Sequence, residues 1–160
     1  MPNITITFCG HSTLYDEGVK EALYDALMGV LSPLSASDKV TFLCGGYGAF
    51  DSLCSNVIDE LRRQGIVPKN EKLLVTPYLT ESYKKRLDLV RKYYDDVIFP
   101  PIENAPLRFA IPRRNVWMVE QADIVFAYVR HSMGGAATTL RHAYSKKKNI
   151  IRLITDYDIR

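Results

Sequence analysis

Three short stretches concentrate the residue types that hold anions and carry protons. They are Phe8-Cys9-Gly10-His11-Ser12-Thr13, Cys44-Gly45-Gly46-Tyr47-Gly48-Ala49-Phe50-Asp51 and Arg130-His131-Ser132-Met133-Gly134-Gly135-Ala136-Ala137-Thr138-Thr139. Glycine lacks Cβ, so the backbone can turn tightly and let a phosphate approach the amide hydrogens. A helix that begins at such a turn aims its unsatisfied N–H groups and the positive end of its dipole at the same anion. The second and third stretches therefore read as two phosphate-holding loops, with Ser132, Thr138 and Thr139 as further hydroxyl donors. His11 stands where a ligand could reach an imidazole that titrates near neutrality. The plainer alternative for His11 is a histidine bonded to loop backbone, and His131 carries the same two readings. Tyr47, Phe50, Tyr78 and Trp117 offer rings on which a base could stack, Tyr47 best because it sits within a loop.

The elements around these stretches alternate. Ile4–Cys9 is a β-branched, alternating run that stops at Gly10, and Val40–Cys44 is an apolar run that halts at Gly45-Gly46. Lys72–Thr76, Asp96–Phe99, Asp123–Val129 and Asn149–Ile154 complete the strand candidates. Helical spacing of apolar residues runs from about Glu17 to Leu31, Phe50 to Arg63, Tyr83 to Tyr94, Ile111 to Ala122 and Gly135 to Lys147. Pro112 is placed near a first turn, where its missing N–H costs nothing. Strands apolar on both faces that alternate with helices require a parallel sheet covered on each side. The expected fold is α/β: a Rossmann-like, three-layer, doubly wound and mainly parallel sheet of about five strands, with residues 1–160 as one domain. In such a sheet the ligand sits at the carboxyl ends of the strands, where all three stretches fall.

Several classes are excluded or disfavoured. Neither G-x-G-x-x-G nor G-x-x-x-x-G-K-[ST] occurs, which argues against a dehydrogenase and a P-loop nucleotidase. No spacing suits a metal, and no cofactor is implied beyond a nucleotide-type ligand. Cys9, Cys44 and Cys54 form no C-x-x-C pair, so reduced buried thiols are expected. No segment approaches the ~18 apolar residues of a membrane span, and the N-terminus lacks signal-peptide features, so the expected location is cytoplasmic. The net charge of +3 is weak, and Arg62-Arg63 and Lys146-Lys147-Lys148 read as helix ends. This balance argues against nucleic acid as a partner.

Phe8-Cys9-Gly10-His11-Ser12, Gly45-Gly46-Tyr47-Gly48, Arg114-Asn115-Val116-Trp117-Met118-Val119, Ala122-Asp123 and Gly134-Gly135-Ala136-Ala137 occur in an order that resembles the SLOG superfamily. That superfamily includes the Lonely Guy phosphoribohydrolases and the DprA/Smf proteins, and the chain is most similar to its YpsA-like branch. The resemblance implies a Rossmann-like sheet binding a nucleotide or nucleotide derivative, such as ADP-ribose or NAD, at these loops. It places Arg114 on an arginine-bearing segment, and relatives often pair as dimers through flanking helices. Lonely Guy enzymes also use a glutamate just after the glycine loop, where this chain reads Ala136-Ala137-Thr138-Thr139. Glycosidic cleavage needs a carboxylate to stabilise its oxocarbenium-like transition state, which threonine cannot do. Asp51 and Glu120 are the available substitutes.

The resulting expectation is a non-catalytic module that binds a small-molecule nucleotide through Gly10, His11, Ser12, Gly45, Gly46, Tyr47, Gly48, Arg114, Gly134, Gly135 and Thr138. A phosphoribohydrolase using Asp51 or Glu120 is the first alternative. A single-stranded DNA accessory protein is the second. Pairing as a homodimer through the helices near 50–63 and 111–122 stays open.

Overall fold

A computed structural model describes residues 3–77, 90–102 and 106–154. Six strands form one parallel sheet: β1 (Asn3–Gly10), β2 (Lys39–Cys44), β3 (Lys69–Val75), β4 (Asp96–Ile98), β5 (Ile124–Tyr128) and β6 (Asn149–Arg152). Four helices are described between them: α1 (Val19–Leu31), α2 (Ala49–Arg63), α3 (Leu107–Gln121) and α4 (Gly135–Ser145). The strand order is β4-β3-β2-β1-β5-β6. The expected α/β Rossmann-like architecture is what the chain adopts, with six strands rather than about five. Tyr78 and most of the predicted helix from Tyr83 lie outside the described residues.

Side-chain alternation along the strands builds the three layers. Ile6 and Phe8 of β1, Val40 and Phe42 of β2, and Phe126 and Tyr128 of β5 turn toward α1 and α2, where Leu23, Leu27, Val57, Ile58 and Leu61 close a buried cluster. On the opposite face Cys9, Val125 and Ala127 meet Val119 of α3 and Ala137, Leu140 and Ala143 of α4. The apolar face of α2 is thus core and offers no surface for pairing. All three cysteines are buried, and desolvation pushes the Cys9 and Cys44 thiols up to about 12.

Helix α3 begins earlier than its sequence pattern indicates. Pro106 caps it and Pro112 lies inside it rather than in a first turn. A proline there removes one intrahelical hydrogen bond. No helix among the described residues is long and apolar enough to cross a membrane.

One buried charge joins the sheet to the helix that carries the second glycine loop. Lys72 of β3 is fully buried; its Nζ donates to Ser55 Oγ at 2.6 Å and Asp59 Oδ1 at 2.9 Å, both on α2, and lies 4.8 Å from the Tyr94 ring centroid. Truncating Lys72 empties a fully buried volume and takes the shared donor from Ser55 and Asp59, which among the described residues keeps only Arg62 at 4.0 Å. Lys72→Ala is therefore expected to cost about 3 kcal/mol in urea unfolding. A loss well under 1 kcal/mol would show that this network does not anchor α2.

Candidate functional site

The sheet reverses its direction of winding at β1. The chain proceeds outward through β2, β3 and β4, then returns to place β5 and β6 on the other side of β1. Among the described residues no connection crosses between the carboxyl ends of β1 and β5, and a crevice opens there, as at the switch point of any doubly wound sheet. It has a volume of about 300 Å³ and is lined by residues of four segments. Gly10, His11, Ser12 and Tyr15 come from β1 and its loop, Tyr47 and Asp51 from the second glycine stretch. Arg114 and Met118 come from α3, and His131, Met133, Gly134, Gly135, Ala136 and Thr139 from the β5–α4 turn and the start of α4.

The two glycine loops do different things. Gly45, Gly46 and Gly48 do not line the crevice: each sits where a Cβ would collide with packed neighbours. At Gly45 it would lie 2.8 Å from Asp51 Oδ2, at Gly46 it would strike Leu74, and at Gly48 it would lie 2.7 Å from Ser12 Cα. The first amide of α2 is also taken, since Ala49 N–H donates to the Ser12 carbonyl at 2.9 Å. This loop therefore closes the wall by packing, and only Tyr47 and Asp51 project from it into the crevice. Gly10 serves the same purpose on β1, because a Cβ there would overlap the Phe50 ring.

The β5–α4 turn is open. Gly134 caps α4 at φ 96°, a conformation that favours glycine, and among the described residues nothing lies within 4 Å of a Cβ position at Gly134 or Gly135. Among the described residues no side chain caps this helix, and its first turn contains no acid. Gly134, Gly135 and Ala136 line the crevice, and the helix start they form lacks the side-chain cap that usually satisfies such amides. Thr138 does not line the crevice: its hydroxyl donates to Gly134 O at 3.1 Å, and Thr139, buried, takes the place expected of it in the wall.

Arg114 is 4% exposed and spans the wall, donating from Nη1 to Gly45 O at 2.7 Å and Val75 O at 3.0 Å, and from Nε to Asn115 Oδ1 at 2.9 Å. Its first task is therefore to gather the ends of β2 and β3. His11 joins β1 to β5 by accepting the Arg130 N–H at Nε2, 2.8 Å away. Burial and the neighbouring His131 hold its pKa below the ordinary value of 6.5, against a smaller opposing pull from Asp16. The unfolded chain takes this proton first, so His11 removes stability as pH falls below about 6.5. Among the sequence candidates missed by pattern are Tyr15 and Tyr128: Tyr128 OH donates to Asp16 Oδ2 at 2.7 Å and accepts the Tyr15 N–H at 2.9 Å. No spacing signal announced this link.

Glu120 stands away from the crevice. It is exposed on α3, 3.2 Å from His142 Nε2, beside a separate apolar groove formed with Phe109, Pro112, Val116 and Trp117. Trp117 is therefore not a crevice ring, and Phe50 is fully buried against Tyr128. Asp51 is the carboxylate that the crevice does contain. Desolvation raises its pKa to about 6, opposed by the Tyr47 N–H it accepts at 3.0 Å and by Arg114. No group of three or more His, Cys, Asp or Glu among the described residues could hold a metal ion.

Asp51 has a testable pH signature. Its carboxyl titrates near 3.8 when unperturbed and near 6 in the folded chain, so the folded state holds a proton that the unfolded state lacks between these values. That contribution is fully present below about 3.8 and lost as pH rises through 6. Asp51→Asn should melt above the parent at pH 7.5 by about 4 °C. The gap should narrow as pH falls through 6 and close only near pH 3.8, whereas a pH-independent gap would contradict the assignment.

No family model matches the chain, and no curated protein does. Solved structures share its fold, among them two DNA processing proteins. DNA processing protein A (DprA) of Streptococcus pneumoniae aligns at a TM-score of 0.59 and 15% identity, over 96% of this chain and 52% of the other. DNA processing protein A of Helicobacter pylori, described for its single-stranded DNA binding mode, aligns at 0.61 and 12%, over 93% and 64%. The chain thus spans between about half and two thirds of the length of these proteins. The sequence argument against nucleic acid is corrected by this finding: a protein of the same fold binds single-stranded DNA, so a modest net charge does not exclude that class of partner. The chain has the Rossmann-like fold of these DNA processing proteins.

Proposed function

We propose that the crevice binds single-stranded nucleic acid, seating one backbone phosphate on the open amides of Gly135 and Ala136. The observation that carries this reading is the uncapped, acid-free start of α4 opening into a crevice rimmed by exposed rings. Tyr47 is 65% exposed and Tyr15 49% exposed at its mouth. An anion-accepting turn beside aromatic platforms is the combination by which strands are held without sequence readout. Arg130, half-buried and paired with Asp16 at 3.6 Å, offers a guanidinium beside the turn. The likeness to the Helicobacter pylori protein supports the same ligand class. Membership of the SLOG superfamily fits this likeness, and the YpsA-like branch rests on the motif order alone.

A free nucleotide is the second reading. It is favoured by the size of the crevice, about 300 Å³, which is at the lower end for small-molecule pockets. Turnover of such a ligand would fall to Asp51, whose raised pKa suits a general acid. Chromatographic detection of free base from nucleoside monophosphates, absent in Asp51→Asn, would establish that chemistry.

Gly135→Asp separates binding from folding. Asp near a helix N-terminus interacts favourably with the dipole, and the Cβ position is open, so the variant should melt at or above the parent temperature. Its carboxylate would occupy the phosphate position. In fluorescence anisotropy with an oligothymidylate, affinity is expected to fall at least ten-fold, and parent binding should weaken as salt rises. Unchanged affinity in a folded Gly135→Asp protein would contradict the proposal, and competition by mononucleotide alone would favour the second reading.

A further inference from the structure

The site as described accounts for a phosphate but leaves one ring arrangement unexplained. His131 stacks flat on His11, with centroids 4.1 Å apart and planes 16° from parallel. His11 is fixed from several sides: it accepts the Arg130 N–H, and the rings of Tyr15 and Tyr128 meet it edge-on at 5.5 and 5.6 Å. His131 is held in turn by a 2.9 Å hydrogen bond from Nδ1 to the Met133 carbonyl, and by the Tyr15 ring, edge-on at 5.7 Å. Yet His131 itself is exposed and lines the crevice.

We infer that His131 is the stacking platform for one nucleobase of the bound ligand, its imidazole receiving the base on the side away from His11. This rests on the reading of the crevice as a nucleic-acid or nucleotide site and names how that site holds a base. A ring already pinned on one face and at one nitrogen loses little freedom when a second ring covers it, so stacking there is not offset by ordering. His131 immediately precedes the turn that ends in Gly134 and Gly135, which places base platform and phosphate seat on one short loop. Met133, 77% exposed, stands on the same loop and supplies a polarisable thioether to the edge of an aromatic ligand. Every base has a π-face, so such a platform tolerates any sequence.

The test compares two single-stranded hexanucleotides, one carrying 2-aminopurine and one abasic at the same position, titrated into parent, His131→Ala and His131→Phe proteins of matched melting temperature. Fluorescence of the 2-aminopurine should be quenched on binding to the parent. The ratio of base-containing to abasic affinity should fall about ten-fold in His131→Ala and return in His131→Phe, which restores a ring without the imidazole nitrogens. An unchanged ratio in His131→Ala, or no recovery in His131→Phe, overturns the platform while leaving the phosphate seat standing. Failure of the parent to bind either oligonucleotide overturns both.

Discussion

The reversal of winding at β1 is the constraint on which the rest depends. Because the connections leave β1 and β5 in opposite directions, the ends of these two central strands cannot be covered by a crossover. Right-handed crossovers then put α1 and α2 on one face and α3 and α4 on the other. The consequence is a gap whose walls come from loops far apart in the chain, over the middle of a buried sheet. Any function built on these loops inherits its position from that topology.

What gives the gap a fixed shape is a small set of buried polar links. His11 ties β1 to the loop after β5, and Arg114 ties the ends of β2 and β3 to α3. Glycines at 10, 45, 46 and 48 let these pieces approach to distances that a side chain would forbid. The start of α4 is treated differently from that of α2: the Cβ positions of Gly134 and Gly135 are open, and no acid stands in its first turn. The proposed phosphate seat rests on this pairing of a rigid wall with an open turn, since preorganisation lowers the ordering cost of binding.

Much of this was legible before any coordinates. Strand and helix periodicity located all six strands, and the strand-end glycines located the crevice. The division of labour between the loops was not legible, because Gly45-Gly46-Tyr47-Gly48 and Gly134-Gly135 look alike as strings. Only the neighbours of each missing Cβ show that the first serves packing and the second stays open. Glu120 seemed available because helix numbering does not reveal which way a residue faces, and it faces a groove away from the crevice. The roles of Tyr15, Asp16 and Tyr128 depend on contacts across more than 110 residues of chain, which no local spacing encodes. Net charge misled for a related reason: it sums over the surface, whereas a phosphate responds to the few groups beside it.

The central claim is that a ligand phosphate sits on the turn opening α4. Backbone amide chemical shifts of the ¹⁵N-labelled protein, followed while a short oligothymidylate is added, test this most directly. The account predicts the largest changes at Gly134, Gly135 and Ala136, with smaller ones at Ser12 and His131. Shifts confined to other surfaces, with these amides unmoved at saturation, would contradict it.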